Sequence, residues 1–274
     1  MELMYCGDAN VEKGLFISAY SVVRCAKEDV SVHILTASVG TDAISEDFAG
    51  GLEKMLKSFR PGSRVRLHDI TEVFRDQLPG PNMSTRFTPC CMLRLYSDGI
   101  EEIPDRVLYL DCDVVALGDV GELYHRDMRE KELAGVPDHY GSWFFSSFFG
   151  RFDYLNSGVL LMDMKKLRES GDLTRARELC QTKKMFMPDQ SAINKICRSK
   201  LKLPRRFNEQ RSEKKKNTLL RHFTTTFRFF PKFYTVTVKP WEPDRIKSVL
   251  KTERYDRIIS EALEAYDIIA KAGG

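Results

Sequence analysis

Two aspartates set two residues apart interrupt an otherwise apolar run, RVLYLDCDVVAL, from Arg106 to Leu117. Ionised carboxylates are costly to bury unless something positive sits beside them. Asp111 and Asp113 follow the strand-like VLYL and so fall at its C-terminal end. That is the edge at which open α/β sheets bind ligands. In an extended chain residues i and i+2 point to the same side, so both carboxylates can address one point. Paired oxygen ligands suit Mn²⁺ or Mg²⁺, which usually share their remaining positions with substrate phosphates.

Two chemistries fit a strand that ends in D-x-D. In a haloacid-dehalogenase-type phosphatase the first Asp is a nucleophile and the second a general acid/base. In a nucleotide-sugar transferase both hold a metal on a diphosphate. The phosphatase pattern continues as D-x-D-G-T and adds a downstream Lys and a second acidic pair. Here VVALGD follows Asp113 and no such acidic pair is evident, which favours the diphosphate reading.

The elements that must position these carboxylates alternate. Leu3 to Cys6 reads as a strand, Leu15 to Cys25 as a helix, and Val30 to Ala37 as a strand. Ser45 to Phe59 is an amphipathic helix opened by a Ser cap, and Arg64 to Ile70 alternates as a strand. After LPGPN, Cys91 to Ser97 looks helical and Val107 to Leu110 is the strand leading to the aspartates. Glu132 to Val136 and Gly158 to Met162 read as strands. Lys165 to Gln181, Asp189 to Arg198 and the tail Arg245 to Ala272 read as helices. This order predicts a mostly parallel α/β sheet with helices on both faces.

Bulk properties narrow the function class. The 274 residues are 42% hydrophobic and 30% charged, as in an ordinary globular enzyme, and a net charge of +4 is too small to argue for nucleic acid, with no recognition motif beside it, so no nucleic-acid partner is expected. No apolar run reaches the length of about 18 residues that a membrane-spanning helix needs. MELMYCGDAN enters a strand at once and has no secretory pattern. The seven cysteines form no C-x-x-C pair, so free thiols in the cytoplasm are expected.

The blocks YCGDAN, MLRL, LYLDCD, YLNSGVLLMDM, MPDQSAIN and RHF…VKPW occur in that order from Tyr5 to Trp241. Through them the chain resembles glycosyltransferase family eight, the group that includes glycogenin and bacterial lipopolysaccharide α-galactosyltransferases. The resemblance implies a GT-A (Rossmann-like) fold, a central mostly parallel mixed sheet flanked by helices. It implies a retaining enzyme that transfers a hexose, galactose or glucose, from a UDP-sugar to a glycan or small hydroxyl acceptor, with Mn²⁺ (or Mg²⁺) as cofactor. A non-catalytic sugar-nucleotide-binding protein is the alternative outside enzymology.

The resemblance also assigns roles. Asp111, Asp113 and His222 are the implied metal ligands. Asp8 and Asn10, just past the first strand, would meet the uracil or ribose, although both residue types also favour turns. Arg94 and Lys239 would supply positive charge around the diphosphate. Asp138 would bind donor-sugar hydroxyls, and Asn156, Asp189 and Gln190 would line the catalytic centre. Asp189 also stands where a helix N-cap would.

Two departures from the family pattern stand out. The last block is usually H-x-x-G-x-x-K-P-W, whereas here the long TTFRFFPKFYTVTV separates His222 from Lys239, and Thr225 replaces the Gly. Met92 stands where an aromatic residue is common. The aromatic loops at 141–154 and 223–234 read as an acceptor cleft or a surface for peripheral membrane contact, the second beside the basic run RSEKKKN. Residues 1–241 are expected to form the transferase domain, and 242–274 a C-terminal helical extension packed on it.

Overall fold

The computed structural model describes residues 1–84, 89–141, 154–211, 213, 215–228, 232 and 234–272. Most of the aromatic loop at 141–154 and part of the one at 223–234 lie outside the described residues. The strands that matter here are β1 (Glu2–Gly7), β2 (Ser31–Thr36), β3 (Arg64–Asp69), β4 (Arg106–Leu110), β5 (Val114–Ala116), β6 (Leu133–Pro137), β7 (Leu155–Asp163), β8 (Lys200–Lys202) and β9 (Leu220–His222). Seven of them form one sheet in the order β3-β2-β1-β4-β7-β6-β8. All run parallel except β7, which is antiparallel to both β4 and β6. Strands β5 and β9 pair separately, bringing Val114 opposite His222.

The near-continuous apolar runs follow from burial on both faces. Leu3 and Tyr5 of β1, with Leu108 and Leu110 of β4, enter one core cluster. Their alternating neighbours Met4, Val107 and Tyr109 enter the other. The first cluster is covered by helices α1 (Glu12–Cys25) and α2 (Glu46–Phe59) and includes Ile258 and Ile259 from the C-terminal helix. The second is covered by the 3-10 segment Pro89–Gly99 and by α3 (Met164–Ser170), α4 (Asp172–Thr182) and α5 (Pro188–Ile196). The chain therefore has the expected mixed α/β architecture with helices on both faces.

Local chemistry explains where the elements stop. Ser45 caps α2, its hydroxyl oxygen accepting the Phe48 N–H at 3.1 Å. The single helix expected over Lys165 to Gln181 is two helices, because Gly171 adopts φ +66° and closes α3. The helix expected at Cys91 to Ser97 is a 3-10 segment. In the tail, Lys251 turns left-handed (φ 55°), so the long helix α6 starts only at Asp256 and runs to Ala272. It lies on α1 and α2. Phe16 meets Tyr266 edge-on at 5.4 Å between centroids, and a Cβ on Gly51 would come within 2.3 Å of Ile269.

Candidate metal and sugar-nucleotide site

The expected strand geometry of the aspartates needs correction. β4 ends at Leu110, and Asp111-Cys112-Asp113 forms a turn closed by Val114 N–H to Asp111 C=O at 3.1 Å. The turn swings the chain from the main sheet into β5, whose partner β9 carries His222. Convergence of the two carboxylates thus comes from a turn between two sheets and not from strand alternation. One oxygen of Asp111, one of Asp113 and one nitrogen of His222 lie within 4.8 Å of each other.

Each ligand is fixed from behind. Asp111 Oδ1 accepts from Arg94 Nη2 at 2.9 Å and from Tyr109 Oη at 2.7 Å, and its backbone N–H bonds Gly158 C=O at 2.8 Å. Burial pushes the Tyr109 phenol well above its ordinary range, so it stays a donor. Asp113 Oδ2 pairs with the Lys239 ammonium. Its Oδ1 is buried and accepts no hydrogen bond among the described residues, although His222 Nε2 is 3.1 Å away. Burial alone would raise the Asp113 carboxyl, but the charge of Lys239 beside it holds it well below the usual carboxylate range. Lys239 responds in kind: burial lowers its pKa, and Asp113 more than offsets this.

The residues fit a divalent cation. An orphaned carboxylate oxygen faces a ring nitrogen, with a second carboxylate oxygen 3.5 Å from that nitrogen. A buried carboxylate oxygen without a hydrogen bond is unfavourable unless a cation meets it. Two carboxylates and an imidazole form a donor set that suits Mn²⁺ and accommodates Mg²⁺.

A second polar cluster lies beside the first, at the same sheet edge. Because β7 runs backwards, its first residues Asn156 and Ser157 reach the edge where β4 and β6 end. Asp138, directly after β6, accepts Asn156 Nδ2 at 2.9 Å and Gln190 Nε2 at 3.3 Å on Oδ2, and the Tyr140 N–H at 3.0 Å on Oδ1. Gln190 Oε1 accepts the Ser157 N–H at 2.9 Å. Asp189 accepts Ser157 Oγ at 3.1 Å and lies 3.4 Å from Arg94 Nε. It sits inside the first turn of α5, where Met187 occupies the cap position. Arg94 therefore joins the clusters. It also donates to Ser157 C=O at 2.5 Å, and its guanidinium rests 3.9 Å over the Tyr109 ring.

Asp8 follows β1, is buried, and caps the short turn Ala9–Val11 through Asn10 N–H at 3.1 Å while accepting Thr41 Oγ1 at 2.7 Å. Asn10 is exposed. Residues with no role assigned from sequence complete the site. A Cβ on Gly158 would lie 2.1 Å from His222 Cε1 and 2.7 Å from Asp111 Oδ2, so only glycine lets both ligands close on this backbone. A Cβ on Gly14 would lie 2.5 Å from the Trp241 ring and 2.9 Å from Cys112 C=O. Trp241 thus anchors the Lys239 segment against α1 and the aspartate turn. Ser157 and Asn208 are the other buried polar members, and the only trace of Asn208 in the sequence is the polar run NEQ beside Phe207.

Comparisons with known proteins agree with this geometry. The profile of Glycosyl transferase family 8 matches residues 2–244. Lipopolysaccharide 1,2-glucosyltransferase of Escherichia coli (strain K12) is 27% identical over 98% of this chain and 88% of that protein. Glycosyltransferase GlyF of Streptococcus pneumoniae is 29% identical over 47% of this chain, and the match spans only 30% of GlyF. Among solved structures, an active-site mutant of LgtC superposes with a TM-score of 0.72 at 19% identity, covering 95% of this chain and 96% of that one. LgtC in complex with donor and acceptor sugar analogs gives a TM-score of 0.66. These are GT-A folds, and the chain shares that fold.

Proposed function

The chain belongs to glycosyl transferase family 8, and from that premise we propose that it is a retaining, metal-dependent transferase moving a hexose, galactose or glucose, from a UDP-sugar to a hydroxyl acceptor. The observation that carries this reading is the buried Oδ1 of Asp113, without a hydrogen bond and facing His222 Nε2, beside the hydrogen-bonded cluster of Asp138, Asn156 and Gln190. Asp111, Asp113 and His222 would hold Mn²⁺ or Mg²⁺. A metal held there supplies Lewis acidity to the diphosphate leaving group.

The remaining work falls to the chain's own side chains. Lys239, half-buried against Asp113, keeps its ammonium charge next to the metal ligands and offsets negative charge on the departing nucleotide. Arg94 acts through the aspartates, holding Asp111 and Asp189 in place. Asp138, Asn156, Asp189 and Gln190 orient sugar hydroxyls, and Asp8 with Asn10 addresses the nucleoside. The pre-bonded network among them keeps the reorganisation needed on donor binding small. LgtC was solved with donor and acceptor sugar analogs, which supports an acceptor that is itself a glycan.

Residues 1–241 form the catalytic unit in this proposal, with 242–274 packed on it. No described helix is long and apolar enough to cross a membrane. A cytoplasmic enzyme, with its basic and aromatic stretch against a membrane surface, is the setting we propose.

The direct test is release of UDP from UDP-galactose and UDP-glucose with Mn²⁺ and no acceptor, assayed on the wild type, Asp113→Ala and Gln190→Ala. Slow Mn²⁺-dependent release that Asp113→Ala abolishes is expected. Absence of release from any UDP-hexose, together with turnover of phosphate monoesters, would return the aspartates to phosphatase chemistry.

A further inference from the structure

Asn208 follows the single turn Arg205–Phe207 and is fully buried (0% exposed). A buried primary amide must place two donors and an acceptor, and its orientation is decided by its neighbours. Here the decision starts at Asp138. That carboxylate accepts only, so Asn156 must turn Nδ2 toward Asp138 Oδ2 at 2.9 Å. Asn156 Oδ1 then faces the opposite way, where it takes the Gly158 N–H at 3.1 Å and Asn208 Nδ2 at 2.8 Å. With its NH₂ directed there, Asn208 presents Oδ1 to His222 Nδ1 at 3.2 Å, and Asn156 Oδ1 lies 3.1 Å from the same nitrogen.

Two amide oxygens therefore bracket Nδ1. A ring with its proton on Nδ1 satisfies both, while an unprotonated Nδ1 would leave acceptors facing an acceptor. The lone pair of the neutral ring then falls on Nε2, the atom 3.1 Å from the unpartnered Oδ1 of Asp113 and 3.5 Å from Asp111 Oδ2.

We propose that Asn208 is a positioning residue that fixes the tautomer and plane of His222, as the last link of an amide relay running from the sugar-pocket carboxylate Asp138 through Asn156. This rests on the metal-binding reading above. Asn156 does not do the work alone, because its Oδ1 is already shared between Gly158 and Asn208. A metal-binding histidine commonly donates its second N–H to a fixed partner, and loss of that partner costs about 10–100-fold in metal affinity. The relay also makes the orientation of the metal ligand depend on the carboxylate assigned to the sugar.

The tautomer can be read on the unaltered protein. With ¹⁵N-labelled histidine and no metal, His222 is expected to hold a proton on Nδ1, with its signals assigned by their loss in His222→Asn. A neutral ring with Nδ1 unprotonated overturns the proposal. The second measurement is Mn²⁺ uptake in the presence of UDP, followed by electron paramagnetic resonance. Asn208→Leu is expected to weaken Mn²⁺ binding about 10–100-fold. Asn208→Asp keeps an acceptor at Nδ1 but loses the donor to Asn156 Oδ1, and is expected to lose clearly less Mn²⁺ affinity than Asn208→Leu. Wild-type affinity in Asn208→Leu, or an equal loss in both variants at matched thermal stability, contradicts the positioning role. If the wild type takes up no Mn²⁺, or His222→Ala takes it up as well as wild type, the metal reading itself falls and the relay with it. A failure confined to the Asn208 variants or to the tautomer leaves the metal reading standing.

Discussion

His222 and His33 are both buried histidines beside a carboxylate, and their surroundings give them opposite meanings. His33, on β2, closes its hydrogen bonds within the protein: Nε2 meets Glu2 Oε2 at 3.1 Å and Nδ1 meets His68 Nε2 at 3.0 Å. The His33 and His68 rings lie parallel, with centroids 5.3 Å apart. Burial, and then the charge of His33, lowers the His68 pKa, so a neutral His68 can accept at Nε2 from the N–H that a charged His33 carries on Nδ1. Both ring nitrogens of His33 are thus spent within the protein. In His222 only Nδ1 is satisfied, while Nε2 and Asp113 Oδ1 face each other with no hydrogen bond between them. A histidine next to an acid is therefore not a site by itself. What separates the two is whether the polar atoms are spent on each other or aimed at a common point.

Exchanging the two roles by mutation gives the largest expected contrast. His222→Ala should lower UDP release from the donor by about 10³-fold or more with little loss of stability, since it removes a ligand for the charge-stabilising cation. His33→Ala should do the reverse. It leaves Glu2 and His68 without their partner and should cost on the order of 2–4 kcal/mol in urea unfolding. Mn²⁺-dependent UDP binding should stay within about threefold of wild type, because none of the His33 partners belongs to the second-sphere network of the site. Comparable losses of binding in both variants would erase the distinction.

A smaller change sharpens it. Gly158→Ala places a methyl where the His222 ring and an Asp111 oxygen now lie, 2.1 and 2.7 Å away. Mn²⁺ affinity, measured by paramagnetic resonance, should fall about 10–100-fold. Wild-type affinity would mean that the ligands need not approach the β7 backbone this closely.

The mildest effect is on acid stability. Asp113 has a depressed pKa in the folded protein, so its contribution is complete above the unfolded value near 3.8 and is lost as pH falls through the folded value. Lys239→Met removes the main attraction that opposes burial, so the acid limb of stability should begin at higher pH. The expected difference from wild type, on the order of 1 kcal/mol, should be present near pH 5 and shrink as the pH falls, because protonating Asp113 removes what the pair contributes. Urea unfolding between pH 2.5 and 6 measures it, and superimposable curves would show that the ion pair contributes nothing to folding.

Much of the fold and of the site is legible in the amino-acid sequence. An apolar strand ending in Asp111 and Asp113, the alternation of strands and helices, and the six ordered blocks lead to the fold and the family. What the sequence hides is physically of one kind. The break at Gly171 and the left-handed Lys251 are backbone events inside stretches whose apolar spacing continues unbroken. The turn at Asp111 to Asp113 cannot be told from a strand, because Val114 resumes the apolar run at once. Gly158 and Trp241 stand within the family blocks, but their value is a close approach between distant segments, which spacing along the chain does not encode. Asn208 leaves only the polar run NEQ as a trace, because an amide becomes informative only when the groups that orient it are known.

The most direct test of the central claim is calorimetric titration of UDP into the purified protein with and without Mn²⁺, repeated on Asp113→Ala. Binding that requires Mn²⁺ in the wild type and disappears in the variant is the expected result. Equal UDP binding with and without Mn²⁺, unchanged in Asp113→Ala, would contradict it and leave the unpartnered aspartate oxygen without a purpose.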